Sequence, residues 1–220
     1  MTKPDPARRP LVTQDALNAL VAALRSRLHQ GCDIPIDACE RFEAGLSGLH
    51  GPVQIPDGGP GAEFSLAVLK KLPEALAAAR EGVPDLAEPL SRMAPALRWT
   101  QGYRDRPPSS DFLDRYGYAQ FVGPAKVPSL MTSDRLAFGV LLLAPGTLYP
   151  AHAHPAEELY VPLAPARWLR GEEKWRERQA GDLVHHASGM VHATEAGTAP
   201  LLALYLWLGD LATGAKILAS

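Results

Sequence analysis

Five of the chain's seven histidines fall in one stretch, Gly146 to His192, and their spacing constrains the fold more than any other feature of the sequence. His152, His154, Glu158 and Tyr160 all carry even numbers. In an extended chain, residues i and i+2 project to the same side. His152 and His154 are therefore expected to aim two imidazoles at one point. Glu158 and Tyr160 form a second same-face pair after a short break. Pro155 accounts for the break, because proline cannot donate to a central sheet ladder. Glycines 181 and 189 frame His192, where a turn can bring a third imidazole back to the first two. Three imidazoles and one carboxylate make a nitrogen/oxygen set suited to a divalent transition metal. A bare His-x-His is often only a solvated strand face; the added glutamate and the framed third histidine set this stretch apart.

The rest of the chain says what surrounds that stretch. Its 220 residues are 46 % hydrophobic, enough for a sizeable core, and a net charge of −2 gives no pull toward nucleic acid. No apolar run reaches the length of a membrane span, and the charged, proline-rich start has no apolar stretch behind it as a secretory signal would. Cys32 and Cys39 lie far from the histidines and are expected as reduced thiols of a cytoplasmic protein.

Residues 1–98 read as an α-helical region. Thr13 is the expected N-cap of a helix with apolar residues at 17, 20, 21, 24 and 28, stopped by Gly31. A second helix is expected over Asp37–Leu46, capped by Asp37. Gly51–Gly61 reads as a turn-rich loop. A third helix is expected over about Glu63–Arg80, kinked or split by Pro73, and a fourth over about Pro84–Leu97, interrupted by Pro89 and Pro95.

The pattern changes near residue 100, so residues 99–220 read as a second, mainly β unit. From Tyr118 the chain shows short strands between Gly/Pro turns, as in a sandwich or barrel. Leu136–Leu143 is apolar almost throughout, as expected of a strand buried on both faces. Glu158–Leu163, Arg167–Leu169, Leu183–His185, Val191–Thr194 and Leu201–Leu208 are further expected strands. Trp99, Trp168 and Trp175 read as packing. Lys126 and Arg135 flank the strand leading to the histidines and offer charge to an anionic group. Of His185 and His186, which alternate in direction, one is expected to support the metal and one to lie on the surface.

The two halves of the histidine stretch resemble the two signature motifs of the cupin superfamily. Gly146, His152, His154 and Glu158 match the first, with Pro165 in place of its closing glycine. Gly181, Gly189 and His192 match the second, with Ala187 in place of its proline and Ala196 in place of its asparagine. A narrower resemblance covers roughly residues 110–210. The run from Tyr149 to Tyr160, then Gly181-Asp182, His192 and Leu202–Asp210, is similar to the cupin-type dimethylsulfoniopropionate lyases. The resemblance implies a cupin-type β-barrel (a jelly roll), mainly β, preceded by the α-helical region. It implies a metal held by His152, His154, Glu158 and His192, with zinc, iron, manganese or nickel all acceptable to the set. It implies Tyr160 as the base of a β-elimination giving dimethyl sulfide and acrylate.

A metal there would polarise a bound carboxylate as a Lewis acid, and its charge would favour the Tyr160 phenolate. Tyr149, Tyr205 and Trp207 are candidate walls for a cationic sulfonium, which aromatic faces attract. Three readings stay open at this point: such a lyase, another metal-dependent cupin enzyme such as a dioxygenase or isomerase, and a non-catalytic cupin that binds a small ligand. Tyr160, two residues after Glu158, is the feature that favours the lyase. The expected partner is a small molecule, with no nucleic acid and no membrane; the helical region is expected either to cap the barrel or to make a homodimer.

Overall fold

The structure is a computed structural model, and it describes residues 9–30, 34–56 and 66–218. The amino-terminal part holds α1 (Arg9–His29), α2 (Ile36–Ser47), α3 (Leu72–Gly82) and α4 (Pro84–Met93), with 3-10 turns over Ala67–Lys71 and Ala94–Ala96. Prolines act here mostly as helix openers. Pro73 and Pro84 sit in the first turns of α3 and α4, where a missing N–H leaves no bond unmade. The expected third helix is thereby split at Pro73. Pro89 is carried inside α4.

Two caps are corrected. α1 already runs from Arg9, so Thr13 is a buried residue within the helix; Pro10, in the first turn, is the stronger start signal. α2 is preceded by Pro35, and Asp37 lies in its first turn, bonded to Arg41 at 2.8 Å. A third correction concerns the thiols. Cys39 is disulfide-bonded, so the reading of reduced thiols fails, and with it that argument for a cytoplasmic location. Cys32 and Gly31 lie outside the described residues, as do residues 57–65, which take in the end of the turn-rich loop and the expected start of the third helix. Among the described residues no helix is long and apolar enough to cross a membrane.

The β part begins with β1 (Trp99–Thr100), a short helix α5 (Phe112–Arg115), β2 (Tyr116–Gly123), β3 (Met131–Thr132) and β4 (Leu136–Leu143). It continues with β5 (Leu148–Ala153), β6 (Glu157–Pro162), β7 (Ala166–Arg170), β8 (Arg176–Arg178), β9 (Val184–His186), β10 (His192–Ala196), β11 (Leu201–Leu208) and β12 (Lys216–Ile217). They form two sheets. One has the order β1-β2-β4-β11-β6-β9, with β3 beside β2; the other has the order β12-β5-β10-β7-β8. All pairs are antiparallel except β2 with β3. This is the cupin-type barrel with a helical region before it.

Side-chain parity explains why the larger sheet reads as nearly continuous hydrophobic sequence. Odd residues of β4 and β11, Leu141, Leu143, Leu201, Ala203 and Tyr205, belong to the core between the sheets. Even ones, Phe138, Val140, Leu142, Leu202, Leu204 and Leu206, share a core with Leu17, Leu20 and Leu24 of α1 and Phe42 of α2. All eight residues of β4 are buried. Each such leucine or valine contributes on the order of 1.5–3 kcal/mol by burial. The helices therefore cover the outer face of the sheet whose inner face carries Glu158 and Tyr160.

Candidate metal centre and aromatic cavity

Two rows of residues meet inside the barrel. In the larger sheet, Glu158 of β6 lies opposite Trp207 of β11 on one side and His186 of β9 on the other. In the smaller sheet, His192 of β10 lies opposite His152 of β5 and Arg170 of β7. A register shift between His192 and Thr194 marks a bulge in the β10–β5 pairing, a device that re-aims a side chain. His154 follows β5 in the break that Pro155 imposes, and it completes the group. Gly181 and Gly189 adopt φ of +88° and +72° on either side of β9, a backbone that residues with a Cβ rarely take.

Four histidines and one carboxylate come together. The donor atoms of His152, His154 and His192 lie within 4.8 Å of one another, as do those of Glu158, His186 and His192. All five residues are buried. Backbone carbonyls fix the protons of three imidazoles. Nδ1 of His152 contacts Pro150 O at 2.8 Å, that of His154 contacts Ala156 O at 3.0 Å, and that of His192 contacts Met190 O at 2.8 Å. A carbonyl only accepts, so each Nδ1 carries a proton, and in the neutral ring that leaves Nε2 as a lone pair.

Two of those lone pairs face an acceptor. His154 Nε2 and His192 Nε2 lie 3.2 Å and 3.0 Å from Glu158 Oε2. The His192 contact lacks hydrogen-bond geometry, and His192 Nε2 and His186 Nε2 are buried with no hydrogen-bond partner. Lone pairs converging on a carboxylate need a cation among them, so the residues fit the divalent ion that the sequence suggests. Charge points the same way. Burial and the neighbouring His192 push His152 well below its ordinary pKa. Burial, helped by His192, pushes His186 down to about 3. Burial opposes ionisation of Glu158, but hydrogen bonding at the carboxylate, with His186 Nδ1 among the donors, outweighs it and holds the carboxyl well below the usual range. For His152, His186 and Glu158 these are the protonation states, neutral imidazole and ionised carboxylate, that metal binding requires.

A cavity of about 350 Å³ opens beside this group, with Glu158 and Tyr160 in its wall. That is the small end of the range for small-molecule sites, about 300–1,000 Å³. All six tyrosines of the chain line it, Tyr103, Tyr116, Tyr118, Tyr149, Tyr160 and Tyr205, together with Trp207. Burial raises the pKa of every one of these phenols, Tyr103 to about 12. For Tyr160 the charge of Glu158 adds to the burial. Tyr149 stacks on His152 with ring centroids 4.2 Å apart and shares a 2.8 Å hydrogen bond with Tyr103 through their hydroxyls. Trp207 stacks on His154 at 3.9 Å and donates its indole N–H to Glu158 Oε1 at 2.5 Å.

The structure thus brings eight residues expected at the site to one place: His152, His154, Glu158 and His192 in the cluster, and Tyr149, Tyr160, Tyr205 and Trp207 around the cavity. Lys126 also lines the cavity, its Nζ donating to Ala212 O at 2.7 Å, whereas Arg135 is exposed elsewhere. Neither His185 nor His186 is at the surface, against expectation: His185 is buried against Glu157, its Nε2 2.8 Å from Oε1, and His186 belongs to the cluster. Tyr103, Tyr116 and Tyr118 were missed. Tyr116 and Tyr118 carry the same i, i+2 signal as the histidines; Tyr103 carries none, since its backbone is left-handed at φ 60° in an irregular segment.

A profile of the dimethylsulfoniopropionate lyase family matches residues 61–203, more than half of the chain. The dimethylsulfoniopropionate lyase DddQ of Ruegeria pomeroyi is 38 % identical over 117 residues, which are 53 % of this chain and 57 % of that protein. A putative dimethylsulfoniopropionate lyase DddL of Cereibacter sphaeroides is 31 % identical over 138 residues, 60 % of this chain and 54 % of that protein. The chain spans about half the length of the curated relatives it matches. The crystal structure of DddQ from Ruegeria pomeroyi superposes with a TM-score of 0.65 and 25 % identity, over 92 % of this chain and 96 % of that one. A structure from a study of the lyases RdDddP and RnDddQII superposes with a TM-score of 0.66 over 94 % of this chain and all of that one; at 23 % identity it speaks for the fold alone.

Proposed function

The chain belongs to the dimethylsulfoniopropionate lyase family, and on that premise we propose that it cleaves dimethylsulfoniopropionate by β-elimination, with a divalent metal in the histidine cluster and Tyr160 as base. The observation that carries the reading is the cavity: six phenols and an indole around a site whose wall includes the Glu158 carboxylate. A sulfonium is a weakly hydrated cation, and each aromatic face it meets is worth about 0.5–2 kcal/mol. Tyr149, Tyr205 and Trp207 are proposed to take it, with Tyr103, Tyr116 and Tyr118 completing the wall.

The residues proposed to hold the metal are His152, His154, Glu158 and His192. When bound, the ion supplies Lewis acidity toward a substrate oxygen and positive charge beside the Tyr160 phenol. Without that charge, burial and Glu158 keep Tyr160 protonated. In the proposed reaction the Tyr160 phenolate takes the proton from the carbon next to the carboxylate. That C–H pair becomes the new double bond, and the C–S bond breaks with its electrons going to sulfur. Neutral dimethyl sulfide and acrylate result, and Tyr160 is left protonated.

Gas chromatography of the headspace over purified protein and dimethylsulfoniopropionate, with zinc, iron, manganese or nickel added in turn, tests the reading. Dimethyl sulfide should appear, and Tyr160→Phe should lower kcat on the order of a hundredfold or more while metal content holds. No dimethyl sulfide with any of the metals would sink the lyase reading. Wild-type turnover by the Phe variant would remove Tyr160 as the base.

A further inference from the structure

We propose that His186 is a positioning residue for Glu158, its Nδ1–H fixing the carboxylate in the orientation that meets the metal; this rests on the metal reading above. Three nitrogens crowd Glu158 Oε2, and only one can donate to it from a neutral ring. His154 and His192 have their protons committed on Nδ1 to the carbonyls of Ala156 and Met190. What they turn toward Oε2 is a lone pair. His186 makes no such commitment: its Nδ1 lies 3.2 Å from Oε2. A carboxylate oxygen accepts, so the proton of His186 lies on Nδ1 and points at Glu158.

The placement is built into the sheet. His186 lies directly opposite Glu158 in the β9–β6 ladder, while Trp207 lies opposite it in the β11–β6 ladder. Trp207 Nε1 holds Oε1 and His186 Nδ1 holds Oε2, one donor from each neighbouring strand. The carboxylate is thereby gripped at both oxygens and turned toward the lone pairs of His154 and His192. The His186 ring is fully buried and stacks on His192 with centroids 3.9 Å apart at 15°, so it cannot swing away without disturbing a second proposed ligand. Its Nε2 is buried without a partner. That leaves one alternative role, direct ligation through Nε2, which the test separates from positioning.

Asparagine places an amide N–H near where a histidine has Nδ1, and glutamine places one near Nε2. His186→Asn, His186→Gln and His186→Leu are stripped of metal and titrated with cobalt(II) against a competing chelator, while the visible absorption of the bound ion is recorded. Positioning predicts that Leu and Gln weaken cobalt binding by about tenfold to a hundredfold, as for other groups that orient a ligand, and alter the spectrum. Asn should keep both affinity and spectrum near those of the unchanged protein. Three outcomes overturn the proposal: all variants binding as the unchanged protein does, Asn failing as badly as Leu, or Gln alone retaining the affinity, which assigns Nε2 as a direct ligand. Failure of the unchanged protein to take up cobalt would instead sink the metal reading itself.

Discussion

The indole N–H of Trp207 reaches Glu158 Oε1 at 2.5 Å across the β11–β6 ladder, while the same indole stacks on His154 at 3.9 Å. One side chain thus touches two residues of the cluster and also lines the cavity. A hydrogen bond to an ionised acceptor is worth about 1.5–3 kcal/mol. Trp207→Phe keeps an aromatic face and removes the donor. It should therefore weaken metal binding by about tenfold or more and lower turnover, whereas a residue that only walls the substrate would change KM alone. Metal titration alongside steady-state kinetics distinguishes the two.

His154→Ala and His192→Ala should each lose the ion on dialysis, read by elemental analysis. A ligand that binds only the folded state stabilises it by mass action. Chelator should accordingly lower the Tm of the unchanged protein and leave these two variants where they are. Full metal content in both variants would place the ion elsewhere.

Much of this site is legible because a strand's period is two. That period alone put His152 and His154 together, and Glu158 with Tyr160, before any pairing was known. What it does not give is the partner across the ladder. His186 reads as one of two adjacent histidines until β9 pairs with β6 and sets it against Glu158. The same holds for the tyrosines: Tyr116, Tyr149, Tyr160 and Tyr205 come from four strands, and only the closure of the barrel brings them to one cavity. Element boundaries shifted where a local signal competed with another, as Pro10 did with Thr13 at the start of α1. For the helices the sequence leaves capping the barrel and making a dimer both open, because covering the outer face of a sheet is a long-range relation between Leu20 and residues such as Val140, and only the packing shows it.

Gly139 shows how closely the cavity is fitted. A Cβ there would lie 2.3 Å from the carbonyl oxygen of Ala119 and 2.5 Å from the Tyr205 hydroxyl. Neither neighbour has room: one is strand backbone, the other a buried ring. Gly139→Ala should cost about 1–3 kcal/mol, the usual penalty of overpacking, and lower the Tm by about 2–4 °C for each kcal/mol in a chain of this size. Because Tyr205 must move, KM for the proposed substrate, dimethylsulfoniopropionate, should rise as well. A melt that matches the unchanged protein would mean that β4 shifts freely, against the pairing on both its edges.

The helical region is tied to the strand that carries Glu158. Arg41 of α2 binds Glu157 of β6 with Nε and Nη2, at 2.9 Å and 2.6 Å, and His185 of β9 lies 2.8 Å from the same carboxyl. The guanidinium, with His185, holds the Glu157 carboxyl below its ordinary value of 4.5. A carboxyl depressed by folding stabilises the protein above its unfolded pKa, and that contribution is lost as pH falls through the folded value. Arg41 also lowers Asp37, which acts in the same direction. Arg41→Ala should therefore melt slightly below the unchanged protein at neutral pH, the gap being small because the arginine is half exposed. As the pH is lowered through the carboxylate range the gap should close, because protonated Glu157 and Asp37 no longer need the guanidinium. Melts of both proteins in chelator, which removes any contribution from bound metal, give the comparison. A gap that stays constant down to full protonation would mean that Arg41 acts by packing its stem against the barrel rather than by its charge.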